Sequence, residues 1–157
     1  MPRYREAHTY RSERLSLDSP ALLEYARFEL SHRRPLRFRM SGTSMRPTID
    51  DGDVVTVEPI DATTLQVHDV VFYVSASGVP LIHRIIAFEK RSGGTYIVTR
   101  ADHAELANAP VPLAQVLGRV IAVQRHSTGR IISLKPRPSV LSRLRRWVKG
   151  LFSRKGH

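Results

Sequence analysis

Seven short runs of apolar and β-branched residues, bounded by glycine, aspartate or proline, occupy the stretch from residue 36 to residue 134. They lie near 36–40, 53–58, 69–75, 80–88, 95–100, 116–125 and 130–134. Four dipeptides stand between the runs where hairpins need a residue of positive φ: Asp51-Gly52, Ser77-Gly78, Gly93-Gly94 and Thr128-Gly129. Short strands at such spacing predict a mainly β domain, folded as a small antiparallel β-barrel or sandwich.

A helical pattern precedes the β region. Ser19-Pro20 provides an N-cap followed by a proline in the first turn, and four apolar residues then recur on one face: Leu22, Leu23, Ala26 and Leu30. These signals predict a helix over 20–32 that ends before Pro35, because the residue before a proline disfavours helical geometry. Residues 1–18 are Arg-rich without a sustained period, which predicts a mobile basic arm.

Size, cysteine content and charge restrict the class of protein. The chain has 157 residues, about the length of one domain, and its lack of cysteine excludes a disulfide framework, a thiolate zinc site and a cysteine nucleophile. Residues 1–105 hold 14 basic and 14 acidic side chains, whereas residues 106–157 hold 11 basic side chains and no acidic one. A neutral body with a basic end predicts an appendage that docks on an anionic surface.

The basic end carries a second helical pattern, over 139–157. Its apolar residues share one arc: Val140, Leu141, Leu144, Trp147, Val148, Leu151 and Phe152. Its basic residues lie opposite: Arg143, Arg145, Arg146 and Lys149. This basic amphipathic helix predicts contact with an anionic membrane surface, through Trp147, Phe152 and those four basic residues; a helix packed on the domain is the alternative. Nucleic acid is disfavoured as a partner, because Trp147 lies with the apolar face.

The predicted organisation is a basic arm at 1–18, a helix segment at 19–35, a β domain at 36–134 and the amphipathic helix at 139–157. The sequence contains neither the run of about 18 to 20 apolar residues that a transmembrane helix needs nor the apolar core of a signal peptide. We therefore expect a cytoplasmic protein that is peripheral at the membrane surface.

A turn of small polar residues, 41–48 (SGTSMRPT), follows the first predicted strand. Such a turn can present a hydroxyl and free backbone N–H groups to a ligand, although an ordinary Ser/Thr-rich loop has the same composition. His83 stands within the predicted strand 80–88. A neutral imidazole within hydrogen-bond reach of a serine hydroxyl can act as its general base, and a histidine packed in the core is the alternative.

Six blocks in matching order resemble the signal peptidase I and LexA-type superfamily of serine peptidases, over residues 36–123 and therefore more than half of the chain. The block 42–49 (GTSMRPTI) is similar to the nucleophile segment and carries Ser44. The block 51–57 (DGDVVTV) is similar to the hairpin that follows, and 68–72 (HDVVF) to a Gly-Asp-aliphatic strand start with His in place of Gly. The block 81–86 (LIHRII) is similar to the strand that carries the general base. The last two blocks, 99–102 (TRAD) and 116–120 (VLGRV), are similar to the Thr-Lys-Gly-Asp motif and to the closing strand.

The resemblance implies a Ser–His pair. Bacterial leader peptidases and LexA-type proteins use a lysine as the base, whereas the endoplasmic-reticulum and archaeal type uses a histidine before an arginine and an aliphatic residue. His83, which lies 39 residues after Ser44, is similar to the second pattern, and strand 80–88 has no lysine. The resemblance implies no cofactor. No metal site is predicted either, because His103 beside Asp102 lacks a His-Glu-x-x-His partner.

The remaining catalytic groups follow from the same resemblance. The oxyanion hole is expected to use the N–H of Ser44 and a second donor. Because Gly42 stands where some members carry a donating serine, this second donor is expected to be a backbone group, with Ser41 and Thr43 as alternatives. Asp102 is the candidate for orienting His83 or the strand that holds it, with a turn-forming role as the alternative. The endoplasmic-reticulum type has a further acid several residues later, where this chain reads 104–108 (AELAN), so the third catalytic member stays open.

The function expected from the resemblance is that of a serine endopeptidase of the signal peptidase type. Its substrate is expected to be a peptide or precursor protein, held as an added strand and cut after a small side chain. One alternative is a LexA-type regulatory protein that cuts itself, which the missing lysine and the short N-terminal region disfavour. Another is a catalytically silent peptide-binding domain tethered to a membrane, whose function would survive replacement of Ser44.

Overall fold

The computed structural model describes residues 15–135, which form one curled, half-barrel antiparallel sheet and one α-helix. Helix α1 spans Pro20–Ser31. The eight strands are β1 (Leu36–Arg39), β2 (Val54–Glu58), β3 (Val70–Val74), β4 (Pro80–Arg91), β5 (Gly94–Arg100), β6 (Val111–Pro112), β7 (Val116–Gln124) and β8 (Ile131–Ser133). The predicted mainly β, antiparallel class is therefore confirmed, with the predicted helix in front of the sheet.

Local sequence signals placed most of these elements well. Each of the seven predicted runs coincides with a strand to within a few residues, and the glycine of each predicted turn has a positive φ: Gly52, Gly78, Gly94 and Gly129. The sequence missed β6, which has only two residues, the second of them a proline. It also ended β4 too early, because the strand continues to Arg91, close to its turn glycines.

Strand β7 organises the sheet. It pairs with β2 along one edge; along the other it pairs first with β3 and then, further along, with β8. The strand order is β1-β2-β7-β3-β4-β5-β6, with β8 beside β7. The ladders shift register within β2, β3 and β4. Such irregularities bend strands and increase their twist, which fits the curl of the sheet.

Strand β3 is buried on both faces, because every residue of Val70–Val74 is at most 5% exposed. Its alternate residues enter two cores: Phe72 lies in the main core with α1, and Tyr73 lies in a second core with β5. A strand covered on both faces shows a continuous apolar run instead of alternation. In the β3–β4 ladder Val71 pairs with His83, so the histidine lies on the face of the second core.

Helix α1 covers one face of the sheet through three buried residues that share the main core with β1: Leu22, Ala26 and Leu30. Residues 15–17, which the sequence placed in the basic arm, lie along the edge of β1. The N–H of Leu17 donates to the Arg39 carbonyl at 3.2 Å, and the Arg39 N–H donates to the Leu15 carbonyl at 3.1 Å. Both leucines also pack against the main core, so the sheet orders a segment too short to show a period.

Two predicted segments extend beyond the described residues. The first 14 residues of the basic arm lie outside them, as does the amphipathic helix at 139–157 with its predicted membrane contacts. Between residues 15 and 135, no helix has the length and apolar character needed to cross a membrane.

His68 offers a test of backbone strain in front of β3. It has φ +80° and is exposed, at the position where the resembling family carries glycine. Because a side chain with Cβ pays a steric cost at positive φ, we expect His68→Gly to raise the free energy of unfolding by about 1 kcal/mol. Chemical denaturation measures the change. Gln66→Gly is the control: it lies two residues earlier at a φ that is not positive, and should destabilise the protein. A loss of stability in His68→Gly would contradict the assignment of strain.

Candidate active site

Ser44 lies in a turn between β1 and β2 that the core holds in place. The turn is anchored by Met45 and Ile49, each 1% exposed, and the Ile49 N–H donates to the Met45 carbonyl at 2.9 Å. The carbonyl of Ser44 accepts the N–H of His103 at 2.9 Å, while the residue itself is exposed. The backbone of Ser44 is therefore fixed from two sides and its side chain faces solvent.

The donors expected in the oxyanion hole differ in their availability. In the described part of the chain, no hydrogen bond uses the N–H of Ser44. The N–H of Gly42, by contrast, donates to Asp51 Oδ1 at 2.8 Å. The Ser41 side chain hydrogen-bonds Asp18. This bond lowers the pKa of Asp18, though less than the hydrogen bonds from Ser16 and from the backbone of Asp18 do. The Ser44 N–H and the exposed Thr43 are thus the predicted donors that stay open to a ligand.

His83 lies on β4 and is 7% exposed. Its Nδ1 atom is 2.7 Å from Nδ2 of Asn108 and 3.2 Å from the hydroxyl of Tyr73. Burial lowers the pKa of His83 below its ordinary value of 6.5, and the negative charge of Asp102 offsets part of that shift. The neutral imidazole, the form that can accept a proton, is therefore favoured further into the acid range.

Ser44 lies in the turn between β1 and β2 and His83 lies on β4, and no hydrogen bond within residues 15–135 joins their side chains. The turn 101–103 connects them. It donates one backbone N–H to the Ser44 carbonyl, and its Asp102 side chain contacts Arg84, the residue next to His83. General-base contacts are often long in a ligand-free site and tighten when substrate binds, so this arrangement is compatible with a Ser–His pair.

The carboxylate of Asp102 is bound by Arg84 and Thr48. Arg84 donates from Nε to Oδ1 at 2.8 Å and from Nη2 to Oδ2 at 2.6 Å, and the Thr48 hydroxyl donates to Oδ2. Burial acts to raise the pKa of Asp102, but the hydrogen bonds from Arg84 and Thr48 outweigh it and keep the pKa below its ordinary value. These contacts fit the role of holding the strand beside His83. Asp102 also lies in a turn, in which the Ala104 N–H donates to the Ala101 carbonyl at 3.0 Å, as the turn-forming alternative expects.

Asn108 is, with Tyr73 and Thr99, a residue of the site that sequence reasoning did not assign. Its side-chain nitrogen lies 3.0 Å from Thr99 Oγ1 and 3.4 Å from the Tyr73 hydroxyl, and those two hydroxyl oxygens are 2.8 Å apart. Its backbone N–H donates to the Thr99 carbonyl at 2.8 Å, which fixes the residue against the end of β5. The available signal was its place in the stretch 104–108, where the family type that the sequence resembles has an acid; the amide at that place did not point to a contact with His83.

No protein-family model and no curated protein matches this chain. Within residues 15–135, no group of three His, Cys, Asp or Glu side chains is arranged to hold a metal ion. The arrangement offers an exposed serine hydroxyl, an unused backbone N–H beside it, and a buried imidazole with one nitrogen in a polar cluster.

The opposing effects on His83 can be measured without any assumption about activity. We expect its NMR titration midpoint to lie below 6.5, since burial is the largest influence on its pKa. In Asp102→Asn the midpoint should fall further, because the charge that favours the imidazolium is gone while the Arg84 cation stays nearby. Glu105→Gln, an exposed acid in the same loop, is the matched control and should leave the midpoint in place. A midpoint that rises in Asp102→Asn would contradict the assigned influence of Asp102.

Proposed function

We propose that this chain is a serine endopeptidase of the signal peptidase type, in which Ser44 is the nucleophile and His83 is the general base. One observation carries the proposal: Ser44 is exposed, no hydrogen bond within residues 15–135 uses its N–H, and it is fixed against the turn that holds the strand of His83, a buried histidine whose neutral form is favoured. The order of the family-like blocks in the sequence supports the same two residues as nucleophile and base. The curled antiparallel sheet is compatible with the small barrel of the signal peptidase and LexA-like type, which is part of the proposal.

The proposed chemistry assigns one task to each group. The Ser44 hydroxyl attacks the carbonyl carbon of the scissile peptide bond, and Nε2 of His83 accepts the hydroxyl proton. The Ser44 N–H, with a donor from Thr43, stabilises the oxyanion that forms. The imidazolium of His83 then gives its proton to the leaving amine, and water releases the acyl group from Ser44 by the same route in reverse. General-base assistance of this kind contributes about 10²–10⁴ in rate.

The low pKa of the histidine suits this task. A base must be unprotonated to act, and the pKa of His83, which burial lowers, leaves a larger share of the imidazole unprotonated than at an exposed histidine. Asp102 acts indirectly. It binds Arg84, and this contact holds the part of β4 that carries His83 in place. We propose that the substrate peptide binds as an added strand beside the Ser44 turn and is cut after a small side chain.

The experiment that tests the proposal is cleavage profiling. A peptide mixture of diverse sequence is incubated with the full chain, and the products are identified by mass spectrometry. We expect new termini that follow small residues, and a parallel incubation with Ser44→Ala should give none of them. Cleavage that persists in Ser44→Ala would assign the activity to another site or to a contaminating peptidase, and a mixture left uncut would contradict the proposal.

We further propose that the residues 139–157 attach the enzyme to an anionic membrane surface. The support is the sequence pattern of this segment, in which an apolar arc with Trp147 and Phe152 lies opposite four basic residues. Each basic residue contributes about 1 kcal/mol at an anionic leaflet. The cytoplasmic, peripheral location expected from the sequence belongs to this proposal.

The membrane proposal predicts that a chain ending at Lys135 no longer sediments with anionic vesicles but keeps its peptidase activity on a short soluble peptide. The intact chain should bind less well as salt rises, because charges are screened within a Debye length of about 8 to 10 Å. Deletion of residues 1–14 is the matched control, since it removes a basic segment without the apolar arc. If the shortened chain sediments as before, the membrane contact lies elsewhere; if it unfolds, the segment is part of the core.

A further inference from the structure

The polar cluster at Nδ1 of His83 supports an inference that rests on the proposed function. We propose that Asn108 is the positioning residue of the site: its carboxamide oxygen accepts the Nδ1 proton of His83 and leaves Nε2 free to act as the base. The cluster consists of four side chains, His83, Asn108, Thr99 and Tyr73. It takes the place that an acidic residue occupies in a Ser–His–Asp arrangement.

The geometry of the cluster makes Asn108 the immediate partner of the ring. One end atom of its carboxamide lies 2.7 Å from Nδ1 of His83, closer than the Tyr73 hydroxyl at 3.2 Å. Asp102 is engaged elsewhere, with both carboxylate oxygens bound by Arg84. His83 is 7% exposed, and Tyr73 and Thr99 are each 1% exposed. The partner of Nδ1 therefore has to come from this cluster.

The two ends of a carboxamide have nearly the same shape, so the oxygen or the nitrogen of Asn108 can face the ring. The number of hydrogens and acceptors in the cluster decides between these orientations. If the nitrogen faces the cluster, it occupies the single lone pair of Nδ1 and also donates to Thr99. The Tyr73 hydroxyl, 3.2 Å from Nδ1, would have to share that one lone pair with the closer amide. Otherwise the Tyr73 and Thr99 hydroxyls, 2.8 Å apart, have only each other as acceptors, so one of their two hydrogens is left without an acceptor of its own. Buried donors without a partner are disfavoured.

With the carboxamide oxygen in that place, each of these hydrogens has an acceptor. Tyr73 donates to Thr99 Oγ1, Thr99 donates to Asn108 Oδ1, and the Nδ1–H of His83 donates to the second lone pair of Oδ1. The two buried hydroxyls thereby orient the amide, and the amide selects the tautomer of His83. Nε2 is then the nitrogen with a lone pair, which a base requires. The opposite orientation would place the proton on Nε2 and prevent it from accepting one from Ser44.

The chain composition makes the test direct. Asn108 is the only asparagine among the 157 residues, so asparagine-selective ¹⁵N labelling gives one side-chain amide signal, and His83 is assigned among seven histidines by comparison with His83→Gln. In ¹⁵N spectra of the full chain, taken above the pKa of His83, we expect a protonated Nδ1 and an unprotonated Nε2. The native protein with Nε2 protonated would overturn the inference, whether or not peptides are cleaved.

Three variants separate positioning from packing. Asn108→Leu removes the acceptor, and we expect the ring to shift toward the Nε2–H tautomer and kcat to fall by about 10²–10⁴, with a smaller effect on KM. Asn108→Asp keeps an acceptor at the same place, so the Nδ1–H tautomer and most of the activity should return. Gln66→Leu, an exposed amide in the loop before β3, is the matched control and should change neither. An Asn108→Leu protein that keeps the native tautomer would overturn the inference.

The two proposals fail in different ways. The tautomer of His83 is read without substrate, so it tests the role of Asn108 even if no peptide is found. Peptide cleavage that does not depend on Ser44 contradicts the proposed function alone. Cleavage that depends on Ser44 but is unchanged in Asn108→Leu contradicts the positioning role alone.

Discussion

Replacing Ser44 by alanine is expected to lower kcat/KM for peptide cleavage by about 10⁴-fold or more while the free energy of unfolding stays within about 0.5 kcal/mol of the native value. The hydroxyl is the attacking group in the proposed chemistry, so nothing replaces it. The side chain is exposed and takes part in no hydrogen bond within residues 15–135, so the fold loses almost nothing.

The matched control for this substitution is Ser77→Ala. Ser77 is also an exposed serine in a turn, but it lies in the β3–β4 hairpin, where its hydroxyl contacts Ser75 at 3.0 Å. Activity should be unchanged in this variant. Initial rates on a peptide identified by cleavage profiling, together with denaturation curves of both variants, make the comparison. Equal activity in Ser44→Ala and the native protein would remove Ser44 from the mechanism.

Gly118→Ala is expected to give the largest loss of stability, about 3 kcal/mol, which corresponds to a fall in Tm of roughly 10 °C. Gly118 is buried in β7, where it pairs with Phe72 of β3, one residue before Arg119, which pairs with β3 on one edge and with β2 on the other. A Cβ at this position would lie 2.5 Å from Val57 Cγ1 and 2.7 Å from the carbonyl oxygen of Glu58. The second of these atoms is backbone inside a ladder, so it has little freedom to move away.

Gly93→Ala provides the comparison for Gly118→Ala. Gly93 is an exposed turn residue, and a Cβ there would meet only the flexible end of Tyr96, at 3.3 Å. We expect its Tm to stay within a few degrees of the native value. Thermal melts followed by circular dichroism measure both variants. A Gly118→Ala protein as stable as Gly93→Ala would show that β2 and β7 can separate locally, against the packing described above.

The sequence by itself determined α1 and seven of the eight strands, because these elements are specified by neighbours along the chain. The Ser19-Pro20 cap and the spacing of Leu22, Ala26 and Leu30 define α1 within one residue. The turn glycines define the hairpins, since a positive φ is a property of single residues. The order of the family-like blocks located Ser44 and His83, whose residue types carry the proposed chemistry.

Only the tertiary structure decided which groups meet. Asn108 contacts the imidazole of a residue 25 positions earlier, and the Asp102 carboxylate that the sequence offered to His83 is bound by Arg84. Neither contact has a local signal, because both depend on how β4, β5 and the loop after β5 pack around the second core. The requirement for glycine at 118 has the same origin: it follows from the close approach of β2 to β7. Contacts between distant segments are set by the register and curl of the sheet, and these emerge only when all strands pair at once.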